Sequence, residues 1–340
     1  MTVAPRSIDT LQTGSISMSN RTVAIIPFPA LGDTTIYLRL AQALSLAGAK
    51  VSVFSDLLAS AADLFDWVTI LPLAAYDIAD ISEGYDLLIA DVLARQVAAF
   101  DGGSNKLAAL PNLLAVSAKH FPPQFKAPTL PSCLESSRGK TVHKPFCPGT
   151  RRGRSMVGWV DLYVEEVFGL AAPLTPPRVR DPVSGQPDGD AHKRVLLFPT
   201  TPNPGKNYPL QGFSRLSSLL KKQGWKTEII CMPHEEAELS AFFATETIRS
   251  FPAIRELALH MLRSAVVVTN DSGGGHLGSM LGLQTFTITK KKGNFVWRPG
   301  FNENNVVISP ILTLKWFSGR IWKPFIPLRK IVSALGTAPE

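Results

Sequence analysis

The residues best suited to chemistry lie in the segment TNDSGGGHLG, positions 269–278, which directly follows three valines. A buried strand would turn here into a helix, whose first N–H groups and positive dipole end favour a bound anion. Glycines let a backbone approach a ligand closely, and a serine adds a hydroxyl donor. The segment predicts a diphosphate site formed by Asp271, Ser272, Gly273, Gly274, Gly275 and His276. The alternative is a tight turn in which Asp271 or Ser272 only caps the helix.

A second polar segment, PTTPNPGKNYPLQGF, follows another apolar run in the same half of the chain. Thr200 and Thr201 offer hydroxyls at the expected strand end, and Lys206 brings a positive charge before the next helix. The carboxyl ends of parallel strands meet at one edge of a sheet, so the two segments can hold a diphosphate from both sides. On its own, Lys206 would be interpreted as a solvated loop lysine. The sequence contains neither a P-loop nor a dinucleotide-binding motif, so nucleotide hydrolysis and hydride transfer lack support.

These segments are carried by two blocks in which apolar runs alternate with helical patterns. The first block includes RTVAIIPF and YDLLIADV, and the second includes RVLLFPT, KTEIICM and QTFTITK. Such alternation predicts an α/β protein with two Rossmann-like domains facing a cleft. The predicted parts are a disordered lead-in (1–20), a first domain (21–172), a Pro- and Gly-rich linker (173–193), a second domain (194–314) and a tail (315–340) packed across the domain junction.

Length and charge limit the classes of function. A chain of 340 residues is too long for one hydrophobic core. Its net charge of +8 favours anionic partners such as nucleotides and anionic lipids. No motif of a known nucleic-acid-binding module occurs, so nucleic acid is not expected as a partner. The first 20 residues lack the apolar stretch of a signal peptide, and no apolar run is long enough to span a bilayer. Trp316, Trp322 and nearby Lys and Arg residues leave a peripheral contact with an anionic membrane open.

The sequence gives no pattern typical of a metal site. The spacing of Cys133, His143 and Cys147 matches no familiar zinc motif, and three cysteines indicate a reducing compartment. The only D-x-D, Asp188 to Asp190, follows no strand and is interpreted as a solvated turn. The lysines at 290–292 predict either a charged loop or a contact with an anionic acceptor or lipid. Neither a metal nor another cofactor is therefore expected.

Four motifs stand in the order found in one enzyme family. FPALGD, PTTPNPGKNYPLQGF, MPHEEAELSAF and TNDSGGGHLGSMLG resemble the motifs of glycosyltransferase family 9, the ADP-heptose:lipopolysaccharide heptosyltransferases, over about residues 21–290. The helix WVDLYVEEVFGL also resembles the family's helix before the linker. Two departures stand out: Gly274 and Gly275 replace a bulkier residue and would loosen the corner, and KKKGNFVWRPGF replaces a loop that shapes the sugar pocket.

The resemblance implies the GT-B architecture, with the donor on the second domain and the acceptor on the first. It implies an inverting, metal-independent transfer with Asp33 as the general base; the alternative for Asp33 is a helix N-cap. Lys206, Thr200, Thr201 and the corner at 271–276 would surround the diphosphate, with Lys206 stabilising its charge. Glu235 or Glu236 would lie near the ribose.

The resemblance also implies a substrate pair and a location. The expected donor is an ADP-sugar or another nucleoside-diphosphate sugar, and the expected acceptor is lipopolysaccharide or another surface glycan. The sugar would be heptose-like, and the protein would act in the cytoplasm at the inner face of the bacterial inner membrane. A sugar-nucleotide epimerase or modifying enzyme, or a catalytically inactive nucleotide-sugar-binding protein, would use the same diphosphate corner and remain alternatives.

Overall fold

The structure, a computed structural model, describes residues 17–118, 120–134, 142–147, 153–182, 189–316 and 319–339. Most of the predicted lead-in lies outside these residues. Met18, however, is buried in the core of the first domain, and the Asn20 N–H donates to the Gly48 carbonyl. The first domain therefore includes residues that precede its predicted boundary at residue 21.

The first domain contains a six-stranded parallel sheet with the order β3-β2-β1-β4-β5-β6. Its strands are β1 (Thr22–Ile26), β2 (Lys50–Phe54), β3 (Thr69–Leu71), β4 (Leu87–Asp91), β5 (Leu113–Ser117) and β6 (Lys144–Pro145). Its helices are α1 (Leu31–Leu46), α2 (Asp56–Ala59), α3 (Ile78–Gly84), α4 (Arg95–Asp101) and α5 (Met156–Phe168). β4 and β5 are buried throughout, as expected for parallel strands covered on both faces.

The second domain repeats this arrangement, with the order β12-β11-β10-β7-β8-β9. Its strands are β7 (Arg194–Phe198), β8 (Lys226–Cys231), β9 (Thr247–Ser250), β10 (Val266–Asn270), β11 (Gln284–Ile288) and β12 (Asn305–Ile308). Its helices are α6 (Leu210–Lys221), α7 (Glu236–Phe242), α8 (Ile254–Leu262) and α9 (Gly273–Met280). Both sheets have the Rossmann strand order, so the predicted fold class is confirmed.

Helix α1 lies at the junction of the two domains. Eleven of its sixteen residues are buried, and it packs against α5 and against α9 of the second domain. The hydrophobic core of the first domain continues through this contact to Met261, Leu277 and Met280. The two domains are thus in contact along α1 and α9, next to the loops that carry the predicted site.

The first described part of the linker, residues 173–182, lies along the first domain. The buried Arg39 guanidinium pairs with Asp161 at 2.7 Å and donates to the carbonyls of Pro173 and Thr175. The Arg180 N–H donates to the Leu64 carbonyl at 2.8 Å. These bonds fix the direction in which the chain leaves α5.

The tail packs on the second domain. It contains a two-stranded hairpin, β13 (Leu314–Trp316) and β14 (Gly319–Ile321), and helix α10 (Arg329–Leu335). Ile331 is fully buried in the second-domain core, and the Trp225 indole donates to the Gly336 carbonyl at 2.9 Å. The tail had been predicted to pack across the junction, but these contacts are made within the second domain because its apolar residues extend that core. Among the described residues, no helix is both long and apolar enough to cross a membrane.

Candidate functional site

The predicted phosphate segments meet where the strand order of the second domain reverses. β7 and β10 are adjacent parallel strands, and their following loops diverge from this point. Asn270, which is fully buried, holds the loops together: its amide donates to the Pro199 carbonyl at 2.7 Å and accepts from the Tyr208 N–H at 2.9 Å. Sequence reasoning missed this residue, although an amide side chain at the end of a buried strand was a usable signal.

A cluster of two lysines and one aspartate forms beside this junction. Asp271 Oδ2 lies 2.8 Å from Lys291 Nζ and 3.4 Å from Lys206 Nζ. The carboxylate is buried, whereas both ammonium groups are partly exposed. A phosphate would be repelled by Asp271 and attracted by the lysines. Asp271 is therefore placed to position the two lysines, and we call the three residues the lysine cluster.

Lys291 was not among the predicted diphosphate ligands. It follows β11, which pairs with β10 in parallel register, so the sheet brings it to the end of β10. Its ammonium also lies 4.6 Å from the centroid of the Phe295 ring, a favourable cation–π distance. The sequence predicts either a charged loop or a contact with an anionic acceptor or lipid for the lysines at 290–292. In the structure, Lys291 lies inside the candidate site.

An open cavity of about 120 Å³ borders the lysine cluster. Its lining consists of Asn203, Gly205, Lys206, Asp271, Thr289, Lys290 and Lys291. Pockets that enclose a whole drug-sized ligand usually measure roughly 300–1,000 Å³. The cavity has room for a phosphate group, and three lysines against one aspartate make it electropositive.

The three glycines at the start of α9 are required by close packing. An added Cβ at Gly273 would lie 2.7 Å from Leu31 Cβ, and one at Gly274 would lie 2.9 Å from the Phe198 ring. At Gly275 the Cβ would lie 2.7 Å from the Thr269 methyl group. The expectation that Gly274 and Gly275 loosen the corner is therefore wrong, because both are helical and tightly surrounded.

Ser272 occupies the N-cap position of α9, but its hydroxyl does not cap the helix. The Ser272 Oγ lies 2.6 Å from the Thr269 Oγ1, which connects the turn to the end of β10. The alternative in which the Ser272 side chain acts as a helix cap is thus not observed. Its hydroxyl lies in the turn that begins α9, next to the lysine cluster.

Asp33 lies in the first turn of α1, next to the start of α9. The N-cap of α1 is Ala30, so the alternative in which Asp33 caps this helix is wrong. The neighbouring Gly32 is so close to α9 that an added Cβ would lie 3.1 Å from the His276 ring. Asp33 is half-buried. Two helix N-termini, one from each domain, therefore converge near this carboxylate.

His276 is a buried neutral imidazole. Burial lowers its pKa to about 4, although Asp271 and a hydrogen bond to the backbone of Trp297 act in the opposite direction. At pH 7 the ring carries no charge, so it contributes no positive charge toward a phosphate. Its Nδ1 is buried and has no hydrogen-bond partner within the described parts of the chain. This geometry suits a residue that orients the α1–α9 contact.

The remaining predicted residues lie on the same edge of the sheet. The Thr201 hydroxyl lies 2.7 Å from the Asn207 side-chain oxygen and orders its own loop, and Thr200 is half-buried just before it. Glu235 accepts the Met232 N–H at 2.9 Å, and Glu236 accepts from the Ser250 hydroxyl. Both glutamates follow β8, two strands from β10, so about 10 Å of sheet separates them from the lysine cluster.

The residues considered for metal binding have other roles. Asp190 pairs with Lys226 on the surface, and Asp188 lies outside the described residues. His143 accepts the Ala115 N–H at 3.0 Å, and none of the three cysteines forms a disulfide with a described residue. Within the described ranges, no three His, Cys, Asp or Glu side chains are grouped as metal ligands.

Comparisons with known proteins agree with this arrangement. Residues 159–312 match the model of glycosyltransferase family 9 (heptosyltransferase), a segment that includes the entire lysine cluster. No curated protein matches the chain significantly.

Solved structures share the fold at low sequence identity. A family 9 glycosyltransferase from Veillonella parvula has a TM-score of 0.69 at 13% identity, with 94% of this chain and 97% of that chain covered. E. coli heptosyltransferase WaaC with ADP has a TM-score of 0.56 at 18% identity, with 84% of this chain and 92% of that chain covered. E. coli ADP-heptose lps heptosyltransferase II has a TM-score of 0.59 at 13% identity, with 92% of this chain and 97% of that chain covered. Residues 159–312 are therefore similar to glycosyltransferase family 9, and the chain shares the fold of two Rossmann-like domains with the solved structures of this family.

Proposed function

We propose that this protein is a glycosyltransferase that moves a heptose-like sugar from a nucleoside-diphosphate sugar, with ADP as the expected leaving group, to lipopolysaccharide or another surface glycan. The observation that carries the proposal is the lysine cluster at the switch point of the second domain. The structures of WaaC with ADP and of an ADP-heptose lps heptosyltransferase support the choice of donor and acceptor. The reaction would take place in the cytoplasm, at the inner face of the membrane.

The lysine cluster suits a leaving group that gains negative charge. In the free protein, Lys206 and Lys291 share the Asp271 carboxylate, so neither ammonium is neutralised by a partner of its own. A diphosphate entering the cavity would exchange this shared carboxylate for several phosphate oxygens. The interaction strengthens as the bond to the sugar breaks, because charge then accumulates on the diphosphate. These two cations and the start of α9 would supply the stabilisation without a metal ion.

Asp33 suits the role of general base. The acceptor hydroxyl would give its proton to the Asp33 carboxylate while its oxygen bonds to the anomeric carbon, and the electrons of the breaking bond pass to the diphosphate. Asp33 lies on the first domain and the lysine cluster on the second, so the nucleophile would attack the anomeric carbon on the face opposite to the departing diphosphate. Attack on this face inverts the anomeric centre.

The donor is tested first by thermal unfolding with ADP, UDP, GDP and CDP. A ligand that binds only the folded protein at 100 times its Kd stabilises it by about 2.7 kcal/mol. We expect ADP to raise the Tm of the wild type and of Lys222→Ala, an exposed lysine on the second domain, but not that of Lys206→Ala. The absence of a shift with every nucleotide would contradict the proposed donor.

Product analysis then tests the reaction. Incubation with ADP-heptose and a lipopolysaccharide acceptor should give a glycosylated acceptor with inverted anomeric configuration, and Asp33→Asn should bind ADP normally but lose transfer. A sugar altered while still attached to its nucleotide would favour the sugar-nucleotide-modifying enzyme. Nucleotide binding without turnover of any acceptor would favour an inactive binding protein.

A further inference from the structure

The described residues of the segment at 311–321 include an unusual concentration of exposed apolar side chains. Among the described residues, ten large hydrophobic side chains are exposed, and four of them lie in this segment. The exposed fractions are 77% for Ile311, 51% for Leu312, 44% for Leu314 and 37% for Ile321. Single exposed apolar residues are ordinary, whereas a group of this kind marks an interaction surface.

The hairpin β13–β14 gives this surface two chemically different faces. Leu314 pairs with Ile321, and Lys315 pairs with Arg320, in antiparallel register. Side chains alternate along a strand, so the two apolar residues share one face and the two basic residues share the other. All four side chains are exposed. We call Ile311, Leu312, Leu314, Lys315, Arg320 and Ile321 the hairpin surface.

The residues that flank the hairpin are attached to the second domain, whereas the side chains of Leu314, Lys315, Arg320 and Ile321 are exposed. The two strands of the hairpin form a separate sheet, while Trp322 is buried in the second-domain core and the Ile311 N–H donates to the Phe325 carbonyl at 3.0 Å. A two-stranded hairpin with both faces in water is only marginally stable. A partner that covers Leu314 and Ile321 would remove this apolar area from water.

Charge distinguishes between the possible partners. Lys315 and Arg320 lie side by side, and the whole chain carries a net charge of +8. A second copy that docked on the same apolar face would bring together two chains that each carry a net charge of +8, and like charges oppose this approach. An anionic bilayer attracts this charge: Leu314 and Ile321 would enter the headgroup boundary, and the long side chains of Lys315 and Arg320 would extend to the lipid phosphates.

The hairpin surface follows β12, the edge strand of the sheet that carries the candidate site. β12 ends at Ile308, and the Ser309 hydroxyl donates to the Lys291 carbonyl at 2.5 Å. The hairpin therefore starts a few residues from the loop of the lysine cluster. We propose that the hairpin surface is a docking site for an anionic lipid bilayer. Its use in presenting a lipid-linked acceptor rests on the proposed function, whereas bilayer binding does not.

Vesicle co-sedimentation of the full chain tests the proposal. The wild type should pellet with phosphatidylglycerol-containing vesicles and remain in solution with phosphatidylcholine vesicles. Lys315→Ala/Arg320→Ala should bind about 25-fold more weakly, from about fivefold per basic residue. The variant Leu314→Ser/Ile321→Ser should weaken vesicle binding to a similar extent. The matched control is Leu46→Ser, which changes an apolar residue that is 72% exposed on the first domain.

Two further measurements keep the result interpretable. Each variant should retain the wild-type Tm and the wild-type response to ADP, which separates lipid binding from the donor site. The proposal is overturned if the wild type does not bind anionic vesicles or if the hairpin variants bind as the Leu46→Ser control does. It is also overturned if sedimentation velocity shows a dimer that Leu314→Ser/Ile321→Ser dissociates, since a second copy would then cover the surface.

Discussion

A methyl group added at Gly273 should separate the two domains. The new Cβ would lie 2.7 Å from Leu31 Cβ, whereas ordinary contacts begin at 3.4 Å, so α1 and α9 would have to move apart by about 0.7 Å. Overpacking of this kind costs about 1–3 kcal/mol.

The cost of Gly273→Ala should therefore be about 1–3 kcal/mol, a factor of about 5–150 in the ratio of closed to open molecules. Because Gly273 and Leu31 belong to different domains, opening of the junction relieves the clash. We expect the radius of gyration measured by small-angle X-ray scattering to increase. Transfer activity should fall by a similar factor, while the Tm of the second domain stays close to that of the wild type.

Two alanine variants provide the comparison. Gly274→Ala places its Cβ 2.9 Å from Phe198, which is in the same domain, so domain opening does not relieve the clash and the Tm should fall instead. Gly84 has no atom within 4 Å of an added Cβ, so Gly84→Ala should behave as the wild type does. Wild-type scattering and activity for Gly273→Ala would refute the argument that α1 and α9 must touch for transfer.

Three further predictions follow from the candidate site. Lys291→Met should weaken ADP binding at least tenfold in isothermal calorimetry, because the lysine cluster loses a cation. Lys292 is exposed and serves as the control; equal weakening by Lys292→Met would show a general effect of charge and contradict the prediction. Asn270→Ala leaves two buried backbone groups unpaired and should lower the free energy of unfolding by about 2–3 kcal/mol, measured by urea denaturation. Burial lowers the pKa of His276 to about 4, below its value in the unfolded state. The unfolded state therefore binds a proton first as the pH falls, so the protein keeps its full stability above about pH 6.5 and loses stability toward pH 4. This loss is at most about 3 kcal/mol. Urea denaturation between pH 7 and 4 should show this loss in the wild type and a smaller one in His276→Gln.

The sequence predicted most residues of the candidate site but not the contacts among them. Asp271 and Lys206 lie in conspicuous polar segments, yet only the structure shows that the carboxylate holds the ammonium group. The sequence leaves two interpretations of Lys291, a charged loop or a contact with an anionic acceptor or lipid, because its position depends on the pairing of β11 with β10. Asp33 was weighed as a helix cap, and only the start of α1 at Leu31 excludes this role.

The sequence by itself determined the fold class, because alternating apolar strands and amphipathic helices have few arrangements other than parallel sheets covered by helices. It also located the phosphate corner, since glycines and hydroxyl-bearing residues after a buried strand have a local physical purpose. Tertiary structure decided which side chains meet: Gly273 is small because Leu31 of the other domain lies against it, and Lys291 joins Asp271 across neighbouring strands. Such contacts join residues far apart in the chain, so their energies depend on packing between elements and leave no periodic signal in the sequence.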